Sequence, residues 1–169
     1  QAPVVHTETV TLRSGNDLSG QPLSLAGDDD ENITFTTSTS TLAAINGPPA
    51  KRIVPHSAWA QSISDPDALW IHSTHNSTAS DGTGTDEDDI LFAHRFELPL
   101  NMPADATVDI QMSYAADDTL QGVGIGDSSG VLASLAGFNG GSFNYESTRS
   151  ISGSAIGLGL SAGENYLFV

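Results

Sequence analysis

Apolar residues recur at every second position through most of this chain, the period of a half-buried strand rather than of a helix. The cleanest run is Ile90 to Leu98, with Ile90, Phe92, Phe96 and Leu98 on one side and Arg95 and Glu97 on the other. Val108 to Tyr114 repeats it, with Val108, Ile110, Met112 and Tyr114 facing inward. Residues 4–12, VVHTETVTL, predict a Thr-rich strand, and Ile33 to Thr36 predict another, bounded by the acidic turn at 27–30. Shorter strands are expected at 121–125, 131–135, 150–156 and 166–169, separated by Gly-rich turns. Only Ser40 to Ile45 and the stretch around Ala133 have room for a helical turn or two, and neither carries a long apolar stripe. Many short strands with closely spaced turns predict an all-β fold, a single antiparallel β-sandwich or jelly roll. No repeat of solenoid period and no linker divides the chain. The reading is an N-terminal strand segment at 1–14 followed by a sandwich domain at 15–169.

Charge sharpens this picture. Five Lys and Arg face 21 Asp and Glu, a formal net charge of -16. Such a surface repels phosphate backbones and anionic membranes, so nucleic-acid binding is a poor expectation, and it attracts cations. The absence of cysteine excludes disulfides, thiolate metal sites and cysteine nucleophiles. A single Lys, abundant Gly, Ser, Thr and Asp, and a start at Gln1-Ala2-Pro3 suit an extracellular protein after removal of a signal peptide. No apolar run approaches the ~18 residues of a membrane span. Asn32-Ile33-Thr34 and Asn76-Ser77-Thr78 match the glycosylation pattern.

From residue 52 a set of motifs appears in order. Arg52-Ile53-Val54-Pro55-His56-Ser57-Ala58-Trp59 is followed by Leu69-Trp70-Ile71, by Phe96-Glu97-Leu98-Pro99, and by Tyr114-Ala115-Ala116-Asp117-Asp118. The stretch from about residue 50 to 169 resembles the galactose-binding-like β-sandwich domains of bacterial extracellular surface proteins, including those with PEP-CTERM-type sorting signals. The resemblance implies a sandwich fold. It leaves function open, because sugar binders, adhesins and structural modules share this architecture. The chain departs from the pattern at Gly124-Ile125-Gly126-Asp127-Ser128, where the family has a strand and an Asn-Gly turn. It also stops at Val169, where the family typically adds a further strand.

Several residue groups are candidates for chemistry. The acidic loop 81–89 alternates carboxylates with Gly and Thr, an oxygen-rich composition that suits a structural calcium ion. Asp86, Asp88 and Asp89, joined by Asp117 from a distant loop, are the expected ligands, with a solvated acidic loop as the plainer reading. His72 and His75 lie three apart, but no third ligand accompanies them, and His56 is read as a loop anchor. Gly126-Asp127-Ser128-Ser129-Gly130 matches a nucleophile elbow by letter, yet no histidine follows His94 and no βα alternation surrounds it, so a turn is expected. Trp59 and Trp70, with Tyr145 or Phe143, would form a stacking platform for a sugar, against the simpler role of packing.

No set of acid, base and nucleophile stands out, so the chain reads as non-catalytic. The first functional expectation is a structural subunit of an extracellular filament, assembled with other copies of itself by β-strand exchange. Tyr166, Leu167 and Phe168 would border an edge left open beyond Val169, and a neighbour's 4–12 strand would fill it with Val4, Val10 and Leu12. The alternative is a carbohydrate-binding or adhesive module, whose partner is a glycan and whose aromatic contacts are Trp59, Trp70 and Tyr145.

Overall fold

A computed structural model describes residues 9–55, 63–73, 89–116, 119–141 and 146–169. The fold is all-β, with antiparallel sheets and almost no helix. In chain order the strands are β1 (Asp29–Thr36), β2 (Pro49–Arg52), β3 (Ile71–His72), β4 (Leu91–Leu98), β5 (Thr107–Tyr114), β6 (Gly124–Gly126), β7 (Leu132–Ser134), β8 (Ser147–Ser154) and β9 (Gly163–Phe168). A short helix α1 (Thr41–Ile45) follows β1, and a 3₁₀ turn (Ile156–Leu158) follows β8. Seven strands form one sheet in the order β3-β2-β1-β4-β9-β6-β7, and β5 and β8 form a second, two-stranded sheet.

Alternation along β4 assigns the two faces of the large sheet. Ile33, His94, Leu167 and Ile125 are in register across β1, β4, β9 and β6 and share one face. Ala93 and Phe168 lie on the opposite face. The first face meets the small sheet: Phe96, Leu98 and Leu167 pack on the core formed by Tyr114, Val123, Ile125, Leu135, Phe138 and Leu158. From the small sheet Val108, Ile110 and Met112 pack on the same core, the inward side their alternation predicts. The opposite face is covered by α1, whose Ala44 packs with Ala93, Tyr166 and Phe168.

Local chemistry places these elements. Ser40 caps α1 by accepting from the Ala43 amide, and the Asn46 side chain donates to the Leu42 carbonyl. Five residues cannot hold a helix alone, so burial of Ala44 on the sheet supplies its stability. Gly126 is required in β6, because a Cβ there would lie 2.2 Å from the Val131 carbonyl oxygen and 3.1 Å from the Phe168 ring. At the start of β9, Asn165 is fully buried. Its amide oxygen accepts from the Ser161 N–H at 2.9 Å, and its amide nitrogen donates to the Ser161 and Gly163 carbonyls at 2.8 Å each.

The terminal strand differs from the sequence expectation. It begins at Gly163, three residues early, and it is interior to the sheet. Leu167 lies against His94 of β4 on one side and Ile125 of β6 on the other, while Val169 exchanges both main-chain hydrogen bonds with Phe92. The open edge expected beside Tyr166, Leu167 and Phe168 is therefore absent, since the chain's own strands occupy both flanks. The strand expected at 131–135 is β7, Leu132–Ser134, so the stretch around Ala133 forms no helical turn, and the 150–156 strand runs instead from Ser147 to Ser154.

Candidate functional site

Seven strands face two, so much of the large sheet's inner face has no opposing strand among the described residues. Between the sheets lies a cleft of about 3200 Å³, bordered by Phe35, Phe92 and His94 on the large sheet and Ile110 and Met112 on the small one. Phe35 and Phe92, paired in register with ring centroids 6.4 Å apart, remain only half-buried. A small-molecule pocket has about 300–1000 Å³, so this space is larger than such a pocket.

Two ionisable groups mark this region. His94 is 8% exposed on the apolar inner face, and burial pushes its imidazole down to about 4. Asp30 of β1 is fully buried, and burial pushes its carboxyl up to about 6 against the pull of its N–H donors. Its oxygens accept from the Gly15 amide at 2.7 Å and the Asn32 amide at 3.0 Å. These bonds distort β1: its register against β2 breaks between Asp30 and Thr34, and its pairing with β4 stops at Ile33–His94. The result is a gap in the large sheet beside the second half of β4.

The N-terminal segment borders both spaces. Residues Val10 to Arg13 line the large cleft and also a cavity of about 360 Å³ at the β1–β4 gap. The chain is anchored from Arg13 onward. Arg13 Nε pairs with Asp65 at 2.7 Å, the Ser14 hydroxyl donates to the Leu69 carbonyl at 2.6 Å, and the Leu69 amide donates to the Ser14 carbonyl at 2.8 Å. Thr9 to Leu12 make no hydrogen bond among the described residues, belong to no strand, and leave Val10 41% exposed.

The other sequence candidates fall elsewhere. Val4 of the strand segment lies outside the described residues, as do Asp86, Asp88 and Asp117 of the expected calcium site, and Trp59, Tyr145 and Phe143 of the sugar platform. His56, His75 and Asn76 lie outside them too. Asp89 is exposed and accepts from the Gln121 side chain, and no metal-holding group of three or more His, Cys, Asp or Glu occurs among the described residues. Trp70 is half-buried on the cleft wall, its carbonyl accepting from the Ile53 amide at 3.0 Å. His72, on the edge strand β3, has its Nδ1 3.3 Å from the Ser73 hydroxyl. Asn32 spends its side-chain nitrogen on the Asn16 and Asp17 carbonyls, which ties up the atom a glycan would need.

Gly126 ends β6 and is buried, and the turn that follows to β7 exposes Asp127, Ser128 and Ser129. Asp127 accepts from both the amide and the hydroxyl of Ser129, and the hydroxyl bond holds its carboxyl below the usual range. Sequence reading missed His94 and Asp30 as buried titratable groups. His94 carried a signal, its position in phase with Phe92 and Phe96, whereas Asp30 looked like part of an acidic turn. Among the described residues, no helix is long and apolar enough to cross a membrane. No family model matches this sequence, and no curated protein or solved structure is significantly similar to it.

Proposed function

We propose that this protein is a non-catalytic extracellular structural subunit that assembles into filaments by β-strand exchange, with a second copy of the chain as its partner. The observation that carries the reading is the pairing of an open apolar cleft with an unbonded strand-like arm. Val10 and Leu12 alternate with Thr9 and Thr11, no main-chain group of that stretch is hydrogen-bonded among the described residues, and anchoring begins at Arg13. An extended segment with free amides and alternate apolar side chains suits addition to a sheet, where main-chain bonds give affinity and pockets give register. The arm is also sparsely charged for an acidic chain, with Glu8 as its one acid before Arg13. Donation of each arm to the next copy is a heterologous contact that does not close, and such contacts build fibres.

Deleting residues 1–12 tests the reading. The truncated protein is expected to fold yet give no filaments by negative-stain electron microscopy, and filaments of normal yield from it would refute strand exchange. A carbohydrate-binding module is the second reading, favoured by the half-buried Trp70 on the cleft wall. It requires retention on a glycan array that a Trp70→Ala variant loses.

A further inference from the structure

The cleft is large, but strand addition needs a specific row of unpaired main-chain groups. We propose that the acceptor is the edge of β4 from Arg95 to Leu98, and that its occupant is the N-terminal strand of a second copy. This rests on the strand-exchange reading and identifies where that exchange takes place.

Hydrogen-bond alternation defines the row. Phe92 and Val169 exchange both main-chain bonds, with Phe92 N–H to Val169 O at 2.8 Å and the return bond at 3.0 Å. In an antiparallel pair such residues alternate, so His94, Phe96 and Leu98 bond β9, while Ala93, Arg95 and Glu97 present their N–H and C=O to the opposite side. Ala93 meets Thr34 of β1 there. The β1–β4 pairing then ends at Ile33–His94, because the buried Asp30 carboxylate takes the Asn32 amide and β1 bends away. The Ile33–His94 pairing still joins the Arg95 N–H to the Asn32 carbonyl, so the Arg95 C=O and both main-chain groups of Glu97 face the gap, beyond the last β1 residue in register.

The gap has the faces a strand requires. Phe96 and Leu98, half-buried, lie on its core side, and Arg95 and Glu97 lie on its solvent side. The arm has the same two-sided character, with Val10 and Leu12 on one side and Thr9 and Thr11 on the other. It already lines the gap's cavity through Val10 to Arg13, so departure of one arm toward a neighbour widens the opening that receives the next. β5 and β8 also have an unpaired flank each among the described residues, but neither borders this smaller cavity with the arm.

The cysteine-free chain permits a direct test. One variant carries Glu97→Cys, and a set of others carries one cysteine each at positions 4 to 12. Mixing under mild oxidation should give disulfide-linked dimers at alternate arm positions and little at the positions between, the two-residue period of a paired strand. Crosslinking without that period, no crosslinking, or preferential linkage to an Asp109→Cys acceptor on β5 would overturn the assignment. So would a doubly substituted chain that links only within itself, since the gap would then be a latch for its own arm. Filaments without the Glu97 crosslink would reject this acceptor and leave strand exchange standing. Filaments from the 1–12 deletion would reject the exchange itself.

Discussion

Replacing His94 by Leu should make the protein progressively more stable than its parent as the pH falls. The imidazole lies on the inner face of β4 between Ile33 and Leu167, 8% exposed, and makes no side-chain hydrogen bond among the described residues. Burial lowers it from 6.5 to about 4. The unfolded chain therefore binds a proton in a range where the folded chain does not. The contribution of neutral His94 is intact above pH 6.5 and is lost as the pH falls through about 4. Between pH 7.5 and 4.5 the parent should lose about 2.5 kcal/mol from this group. Asp30 acts in the opposite sense, because its carboxyl is raised from 3.8 to about 6. Its contribution is full below 3.8, is lost as the pH rises through about 6, and adds about 2 kcal/mol over the same acidification. The two nearly cancel in the parent, so its own pH profile conceals both. The assay is urea unfolding by tryptophan fluorescence at pH 7.5, 5.5 and 4.5, at low protein concentration because the pI is near 4.1. The stability difference between His94→Leu and parent should grow by about 2.5 kcal/mol from pH 7.5 to 4.5, while Asp30→Asn should lose about 2 kcal/mol relative to parent. A difference for His94→Leu that stays constant within about 1 kcal/mol would refute the assignment of a desolvated imidazole.

Asn165→Asp should cost about 3 kcal/mol in chemical denaturation, because a buried carboxylate would face the two carbonyls that now accept from the amide; an unchanged midpoint would contradict that hydrogen-bond arrangement. Filament growth followed by light scattering should accelerate several-fold from 0.01 to 1 M NaCl, as screening between chains of net charge -16 shortens from about 30 to about 3 Å; slower growth in salt would show that charge attraction, rather than strand pairing, joins the copies.

What the sequence shows of this fold depends on whether burial is one-sided. β4 and β5 alternate because each has a core face and a solvent face, so their strands and inward residues are legible to within a residue. β2 is Pro49-Ala50-Lys51-Arg52, a composition with little strand preference. It is a strand because β1 and β3 flank it and Lys51 pairs with Asp29. Asp29 and Asp30 read as turn residues for the same reason, since acids are depleted in strands. Their strand state follows from tertiary partners, the Gly15 amide foremost, that lie far off in sequence. That Thr9 to Leu12 make no hydrogen bond among the described residues is likewise invisible in the alternation, which suits pairing within the chain as well as pairing with another copy.

The central position of β9 relocates the question of assembly. Had Leu167 bordered an empty flank, any extended segment reaching it would have found a template, and specificity would have rested on side chains alone. With β4 and β6 on its two sides, that flank is spent within the subunit. The large sheet is then bounded by β3 and β7, of two and three residues, edges too short to offer a register. The unpaired span of β4 differs because a buried carboxylate creates it: Asp30 takes the Asn32 amide and draws β1 aside before pairing can reach Glu97. A gap held open by a buried charge is fixed in place and length, whereas a frayed edge is neither. An assembly that repeats the same joint along a fibre would need that fixity, and the β1–β4 gap would supply it beside Thr9 to Leu12, which make no main-chain hydrogen bond among the described residues.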